Sequence, residues 1–529
     1  MRHLREFLIS LGLLGFAFLC YASVLPTYFV SDDFWFIGRV ARQGMFYSWC
    51  ESTGGFLRPG TVLAYVTDYR VWGLNPIGYH LTNILFHGLA AYAVFLVTRH
   101  LCRTLQSPDP VRVPLLAACL FIALPCHSES VTWIAGRTDV MAVALGLGAT
   151  ACFLHSLNAR APFLAGLALV LFAAALLTKE CVIVLPAVWC ALFVHEWWAK
   201  KQRPSGYSVT LVGSSLLLLA GYFILRKELL GQFLGGYGTD KHLSIMHLSS
   251  LENIGRYVLR TFLPALPLRL YGAPVMAAAG FAAGVLVTAL VLRWRQVLSA
   301  RWALVALLGF CYLVSLIPVL TMHVGLFDTG GERFLYLPSA FACVLVARLI
   351  ADETRWVSVR IIVLVGLIIA QAAALQWVNK RWITASQLCR QIAAEVARTD
   401  PATTVVLNVP DNYRGAYVFR NGLPEAATLF AGKPTNSPCR VVCVHDLNSM
   451  DESIEAGFKG SNLVLSLPDG LWLRDIFKTG FDVKNKGNSL SISGQLEAGT
   501  QVESLLSFTA GSRKPMLRAI RWEWESGRR

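Results

Sequence analysis

The side chains able to do chemistry in this 529-residue chain fall in six short stretches, each bordering an apolar run. Two adjacent carboxylates, Asp32 and Asp33, follow the first run, and Arg58 stands in Phe56-Leu57-Arg58-Pro59. His80, Asn83 and His87 recur at a spacing that puts them on one face of a helix entered through Asn75-Pro76. His127-Ser128-Glu129 is followed by Arg137-Thr138-Asp139, then come Thr178-Lys179-Glu180 and Glu332-Arg333-Phe334-Leu335-Tyr336-Leu337-Pro338. A carboxylate can accept a hydroxyl proton as general base. Arg matches a phosphate with its planar fork, and Lys meets it as a point charge. The types present are therefore those of proton abstraction beside an anionic group. Asp32 is the expected base, with Asp33 as its alternate or orienting partner. Arg137, Lys179, Arg333 and Arg58 are the expected anion ligands. The competing expectation is local pairing, since Arg137 lies two residues from Asp139 and Lys179 and Arg333 each adjoin a Glu. Sequence neighbours on a helix do not face each other, so adjacency establishes no salt bridge. His80, Asn83 and His87 could orient a substrate or hydrogen-bond within the bundle, and the structural role is the favoured one.

What positions these residues is apolar. The chain is 55% hydrophobic and 15% charged, against about 25% charged in soluble domains. Eleven runs read as crossings of a hydrocarbon core that needs roughly 20 residues each: 7–26, 78–101, 113–125, 140–157, 161–178, 181–198, 209–225, 273–292, 302–322, 334–349 and 361–377. The third is short, at about 20 Å of helical rise. The first lacks a small-residue cleavage site, so it is expected to be retained. With the N-terminus in the cytoplasm, Arg103, Arg112, Arg160, Lys200, Lys201, Arg203, Arg293, Arg295, Arg301, Arg355 and Arg360 all fall inside. The short outside loops keep Arg137, Lys179 and Arg333, the asymmetry of the positive-inside rule. All six stretches then lie at the outer face, and odd parity leaves the C-terminus outside.

The expected fold is a polytopic α-helical membrane protein of about eleven helices, with a small C-terminal soluble α/β domain. Residues 1–382 form the membrane body, with long outside loops at 27–77 and 226–271. Residues 383–529 form the extracytoplasmic domain, where Thr404 to Leu407, Arg440 to Val444, Asn462 to Leu467, Ser489 to Ser493, Ser504 to Thr509 and Leu517 to Trp524 read as strands. Most of the 13 cysteines sit in apolar runs, where a thiol acts as a small hydrophobe. No paired CxxC spacing suggests zinc. The net charge of +15 is explained by helix anchoring, and nucleic acid is not an expected partner.

In their order, these stretches resemble the GT-C superfamily of polyprenyl-phosphate-sugar glycosyltransferases, and most closely the TMTC membrane O-mannosyltransferases, over about residues 7–348. The resemblance implies the GT-C fold and an inverting transfer of a sugar, mannose first, from a polyprenyl-phosphate donor to a hydroxyl of a protein or glycan acceptor at the outer or lumenal face. It implies Asp32 and Asp33 as catalytic residues and Arg58, Arg137, Lys179 and Arg333 at the donor phosphate. His80, Asn83, His127, Glu129, Glu332 and Tyr336 then position substrate.

Two features depart from that family. Its tetratricopeptide repeats have no counterpart after the membrane part, and Pro125-Cys126-His127 stands where a His-Pro-x-His pattern is expected. No cofactor is expected. A divalent metal on His127, Glu129, His323 and Asp328 is the minor reading. The alternative function is a transporter or flippase of a lipid-linked sugar, which should show internal symmetry and broken helices. The bilayer itself is a bacterial inner membrane on this reading, or endoplasmic reticulum in a eukaryote.

Overall fold

A computed structural model describes residues 2–43, 55–105, 109–200, 205–233, 248–265, 300–351, 357–398 and 404–431. In the tail it also describes the strand segments 440–447, 455–459, 462–466, 473–474, 482–486, 489–493, 501–504 and 520–523. The chain divides into two compact units. The first comprises Met1–Leu25, Phe46–Asp68 and Gly78–Val378, and the second Pro26–Met45, Tyr69–Ile77 and Asn379–Arg529.

The helices, in chain order, are α1 (Arg2–Tyr21), α2 (Asp32–Gln43), α3 (Pro59–Trp72), α4 (Pro76–Thr104), α5 (Arg112–Ala123), α6 (Ser128–Val131), α7 (Arg137–Ala159) and α8 (Pro162–Leu176). They continue with α9 (Leu185–Lys200), α10 (Gly206–Leu230), α11 (Leu248–Phe262), α12 (Ala300–Leu316), α13 (Tyr336–Ala351), α14 (Val357–Ala397) and α15 (Leu423–Ala431). Local chemistry sets their ends. Asp109 Oδ1 accepts the N–H groups of Val111 and Arg112 at the start of α5. Leu124 precedes Pro125 and is extended, as the proline ring requires of its predecessor. The helix therefore breaks there, and the next turns leave it at 56°. Ser205 caps α10 by accepting the N–H of Ser208, and Gly231 ends it in the left-handed conformation.

Among the described residues, seven helices are long and apolar enough to cross a membrane: Leu4–Val24, Pro76–Thr104, Ile134–Ala159, Glu180–Ala199, Gly206–Leu230, Glu332–Ile350 and Val357–Ala397. The bent pair Arg112–Ala123 with Pro125–Val131 makes an eighth. The protein is thus a polytopic helical membrane protein. The described residues stop short of the expected eleven for three reasons. The runs at 161–178 and 302–322 yield only the short apolar helices Pro162–Leu176 and Ala303–Val319; the run at 273–292 lies outside the described residues. Within the first unit, α7, α8 and α9 pack around Trp189, which stacks on Phe153 at 4.6 Å, meets Phe172 and donates its indole N–H to Thr150 Oγ1 at 2.9 Å.

Two expected boundaries differ. Residues 27–77, read as a loop, contain α2, all of α3 and the entry to α4. The last run, read as 361–377, belongs to a 41-residue helix, because the mixed polar and apolar residues after Asn379 include good helix formers such as Lys, Arg, Gln, Leu and Ala. In the second unit the strands are β1 (Thr404–Tyr413), β2 (Ala416–Tyr417), β3 (Arg440–Leu447), β4 (Glu455–Lys459), β5 (Asn462–Ser466), β6 (Leu473–Arg474), β7 (Asp482–Lys486), β8 (Ser489–Ser493), β9 (Gln501–Ser504) and β10 (Ile520–Glu523). One sheet runs β10-β9-β1-β3-β6 with β2 beside β1, and a second runs β4-β5-β8-β7. β1 pairs parallel to β3, and such a pair needs a crossover, which here contains α15.

Candidate functional site

Arg58, Arg137, Lys179, Arg260 and Arg333 of the first unit each pair with a carboxylate far away in sequence. Arg58 binds Glu180 with two donors, Nε at 3.0 Å from Oε2 and Nη2 on Oε1. Lys179 Nζ lies 2.6 Å from both oxygens of Asp139. Arg137 donates from Nη1 to Asp68 Oδ2 at 2.7 Å and from its other nitrogens to the carbonyls of Ile134 and Tyr79. Its guanidinium also lies over the ring of Tyr65 at 4.3 Å. Thr82 holds the remaining Asp68 oxygen at 2.8 Å. Arg333 meets Glu129 twice, through its backbone N–H at 2.8 Å and through Nη1 at 2.6 Å. Glu332 accepts from Arg260 and from the hydroxyl of Ser128. The local pairs weighed from the sequence, Arg137 with Asp139, Lys179 with Glu180 and Arg333 with Glu332, are not the ones formed.

Burial separates these cations. The Arg137 side chain is 0% exposed and that of Lys179 5%, whereas Arg58 and Arg333 keep 17% and 16%. Arg137 has its planar fork spent on protein oxygens, so it braces the start of α7. Arg58 and Arg333 are only partly buried, so part of each side chain reaches the surface. An ion that loses its partner in such a place is costly, since breaking a buried pair costs about 3–5 kcal/mol.

The polar helix face also resolves into bonds. Asn83 Nδ2 donates to the carbonyls of Val131, Trp133 and Ile134 at 3.1–3.3 Å, which ties α4 to the irregular segment between α5 and α7. Carbonyls outside regular structure need such donors when buried. His80 is buried on the same face. His87 shares a 2.6 Å hydrogen bond with the Tyr336 hydroxyl, and His127 Nε2 one of 2.8 Å with Ser339 Oγ. Among the described residues His127 Nδ1 has no hydrogen-bond partner. His323 packs against Arg256, and Asp328 Oδ1 accepts the N–H of Gly330. Among the described residues no three His, Cys, Asp or Glu side chains converge as a metal site.

Asp68 and Arg260 escaped the sequence reading, although each is a charge beside apolar residues, the signal that marks the others. Tyr257, one turn from Arg260, went unnoticed as well. Burial pushes its hydroxyl well above the ordinary tyrosine range, so it stays a donor to the carbonyls of Val319 and Met322.

In the second unit the acidic pair forms the first turn of α2, where carboxylates are favoured by the helix dipole. Ser31 enters that turn at φ +48°, a left-handed conformation costly for a residue with a Cβ. Neighbours hold it there: its N–H donates to Val418 O at 2.8 Å, and its hydroxyl accepts from the Asn421 N–H. Gly422, at φ +86°, packs directly on the Ser31 carbonyl. Asp33 is buried and accepts the N–H of Val30 at 3.0 Å. Asp32 is more open; Asn421 Nδ2 donates to its Oδ1 at 2.7 Å, which leaves Oδ2 without a hydrogen-bond partner among the described residues. The two carboxylates thus have distinct surroundings, one closing the turn and one presenting an oxygen.

No family model matches the chain. Over 151 residues it is 36% identical to "Protein O-mannosyl-transferase Tmtc1" of Drosophila melanogaster, a match covering 28% of this chain and 16% of that protein. It is 32% identical over 193 residues to "Protein O-mannosyl-transferase TMTC1" of Homo sapiens, covering 32% and 21%. It is 35% identical over 170 residues to "Protein O-mannosyl-transferase Tmtc2" of Drosophila melanogaster, covering 31% and 16%. Each match therefore spans about a fifth or less of the relative's length, and what these segments share with this chain is similarity to proteins named as O-mannosyltransferases.

Proposed function

We propose that the protein is a GT-C-type membrane glycosyltransferase that moves mannose from a polyprenyl-phosphate donor to a hydroxyl of a protein or glycan acceptor, with inversion at the sugar carbon. The observation that carries this reading is the exchange of ion-pair partners among separate motifs, which leaves Arg58 and Arg333 braced and partly open. Similarity to proteins named as O-mannosyltransferases supports the choice of sugar and of a protein acceptor.

In this mechanism Asp32 takes the acceptor proton through its open oxygen. The acceptor oxygen bonds to the sugar carbon as the bond from that carbon to phosphate breaks, and the electron pair leaves with the phosphate. Phosphate departs without a protein acid, unlike the leaving group of glycoside hydrolysis, where two carboxylates divide the work. Arg58 and Arg333 stabilise the charge that develops on it. Asp33 orients Asp32 by closing the turn. Arg137 and Lys179 hold the frame, and Glu129 and Glu332 fix Arg333 and its segment. His80, Asn83, His127 and Tyr336 position substrate through the segments they tie together. No cofactor or metal takes part.

We further assign the protein eleven crossings, a cytoplasmic N-terminus and an extracytoplasmic α/β domain over residues 383–529, on the distribution of Lys and Arg between loops. The membrane proposed is a bacterial inner membrane, with the endoplasmic reticulum as the alternative in a eukaryote. The test is transfer of radiolabelled mannose from polyprenyl-phosphate mannose to peptide by the purified protein in detergent. Wild type should transfer, and Asp32→Asn should lose at least about 100-fold, the usual contribution of a general base, with unchanged yield and melting. Full activity in Asp32→Asn removes the base. Binding and translocation of the donor without transfer makes the protein a flippase.

A further inference from the structure

In the second unit the chain that follows α14 comes back to the first turn of α2. β2 pairs antiparallel on the end of β1. Past it the Val418 N–H donates to Asp411 O and the Phe419 N–H to Pro410 O, both at 2.9 Å. Arg420 fixes the exit of this hairpin, with Nε 2.8 Å and Nη2 2.6 Å from the two oxygens of Asp411. Asp411 is buried, and breaking a buried pair is costly. Gly422 then starts α15 by accepting the Ala426 N–H at 2.9 Å. Residue 421 is therefore braced from both sides.

What this arm brings to Asp32 is an amide. Asn421 Nδ2 donates to Asp32 Oδ1 at 2.7 Å. The Ser31 hydroxyl accepts the Asn421 backbone N–H at 3.3 Å and donates to the same carboxylate oxygen at 3.4 Å. Phe34 stacks on Phe419 at 5.7 Å, so apolar contact joins the two segments as well. Both donors fall on Oδ1, which fixes the direction of Oδ2 without covering it. The choice of donor matters, because a cation in this place would hold the carboxylate anionic and weaken it as a base, whereas a neutral amide orients it with a smaller effect. The charges around the turn have other partners. Arg420 is on Asp411, and Arg42 lies 3.8 Å from Glu425 of α15. Arg39 lies over the Trp35 ring and Arg390 of α14 over that of Tyr28, while Asp33 accepts the Val30 N–H.

We propose that Asn421 is a positioning residue for the Asp32 base, a role that rests on the transferase reading above and acts only through Asp32. The reacting carboxylate is thus completed by the part of the chain that follows the last long apolar helix.

Purified full-length wild type, Asn421→Ala and the isosteric Asn421→Asp are compared across pH in transfer from polyprenyl-phosphate mannose to peptide. Asn421→Ala should lower kcat about 10-fold, the loss of one hydrogen bond to a charged group, with donor KM unchanged. The acid limb of its kcat profile should move to higher pH, because a carboxylate deprived of a donor holds its proton more tightly. Asn421→Asp should move the limb further, by about one pH unit or more, since a like charge beside a carboxylate favours its protonated form. A merely structural role would lower yield or melting and leave the limb in place. An unmoved limb in the folded variants overturns the proposal. So does a further loss when Asn421→Ala is added to Asp32→Asn, because a residue acting through Asp32 then has nothing left to position.

Failure of the transferase reading gives a different result: wild type does not transfer, or Asp32→Asn transfers normally. Asp32 is then followed directly. A water-soluble carbodiimide with an amine nucleophile reacts through the protonated carboxyl, and peptide mass spectrometry reads the labelling of Asp32. Labelling should persist to higher pH in Asn421→Ala than in wild type, and to higher pH still in Asn421→Asp. Coincident profiles overturn the positioning role whether or not the protein transfers a sugar.

Discussion

Four basic residues of the first unit share a chemistry but not a surrounding, and substitutions should separate them. Arg58→Gln and Arg333→Gln should each raise the KM for lipid donor by about 10-fold, the loss of one charge-assisted contact of about 1.5 kcal/mol, and Arg333→Gln should also lower the melting temperature because it leaves the fully buried Glu129 without its cation. Arg137→Gln should instead lower the melting temperature, because Asp68 is left buried and unpaired. Kinetics and thermal melts on the same preparations check both. The Lys179–Asp139 pair offers a second test. Lys179→Met alone should destabilise by about 3–5 kcal/mol, and adding Asp139→Leu should recover most of that, since a buried pair replaced by apolar groups is often neutral. Additive losses would mean that the two side chains act independently. At this scale the sequence showed which residues are charged where charge is costly. It did not show their partners, because Arg58 and Glu180 are brought together only by the packing of segments far apart in the chain. Asp68 was hidden for the same reason: nothing near it in sequence announces Arg137.

Helices were legible wherever an apolar run was long. α4, α7 and α10 follow from length and hydropathy alone. The run ahead of Pro125 was legible as well, but its 56° break depends on the conformation that proline imposes on Leu124. The tail strands β1, β3, β5 and β8 were visible as β-branched or alternating runs, whereas β4, β6 and β7 carry too few such residues to stand out. α2 was missed because its mixed charged and aromatic residues carry no long apolar run. The irregular segment from Pro125 to Gly136 is the element most exposed to small changes. A Cβ on Gly136 would fall on the carbonyl oxygens of Glu129 and Ser130, so Gly136→Ala should displace Glu129 and weaken its hold on Arg333. Donor KM should rise together with a lower melting temperature; an unaltered melt would show that the segment yields without cost. In the second unit Gly422→Ala meets the Ser31 carbonyl in the same way and adds the strain of a positive φ. Turnover should fall by 10-fold or more through misplacement of Asp32, with donor KM unchanged. A normal kcat would separate Asp32 from the turn that carries it.

At the level of the whole chain, the proposed topology makes the +15 charge an orientation signal, which predicts where tags are accessible. A tag appended after Arg529 should be removed by protease in intact spheroplasts, and one inserted at Arg160 should be protected until the membrane is opened. Protection of both would place an even number of crossings before the tail and invert the assignment of the later loops. The exchange of ion-pair partners has one more consequence. No motif is a self-contained module: Thr178-Lys179-Glu180 carries one half of two pairs, and the segment 127–139 carries one half of three, the Lys179–Asp139 pair being common to both. A loop transplanted into another membrane scaffold would arrive with charges whose counterparts stayed behind. In this chain's lineage, inherited changes at 58 and 180, 68 and 137, 139 and 179, 129 and 333, or 260 and 332 should therefore occur in step.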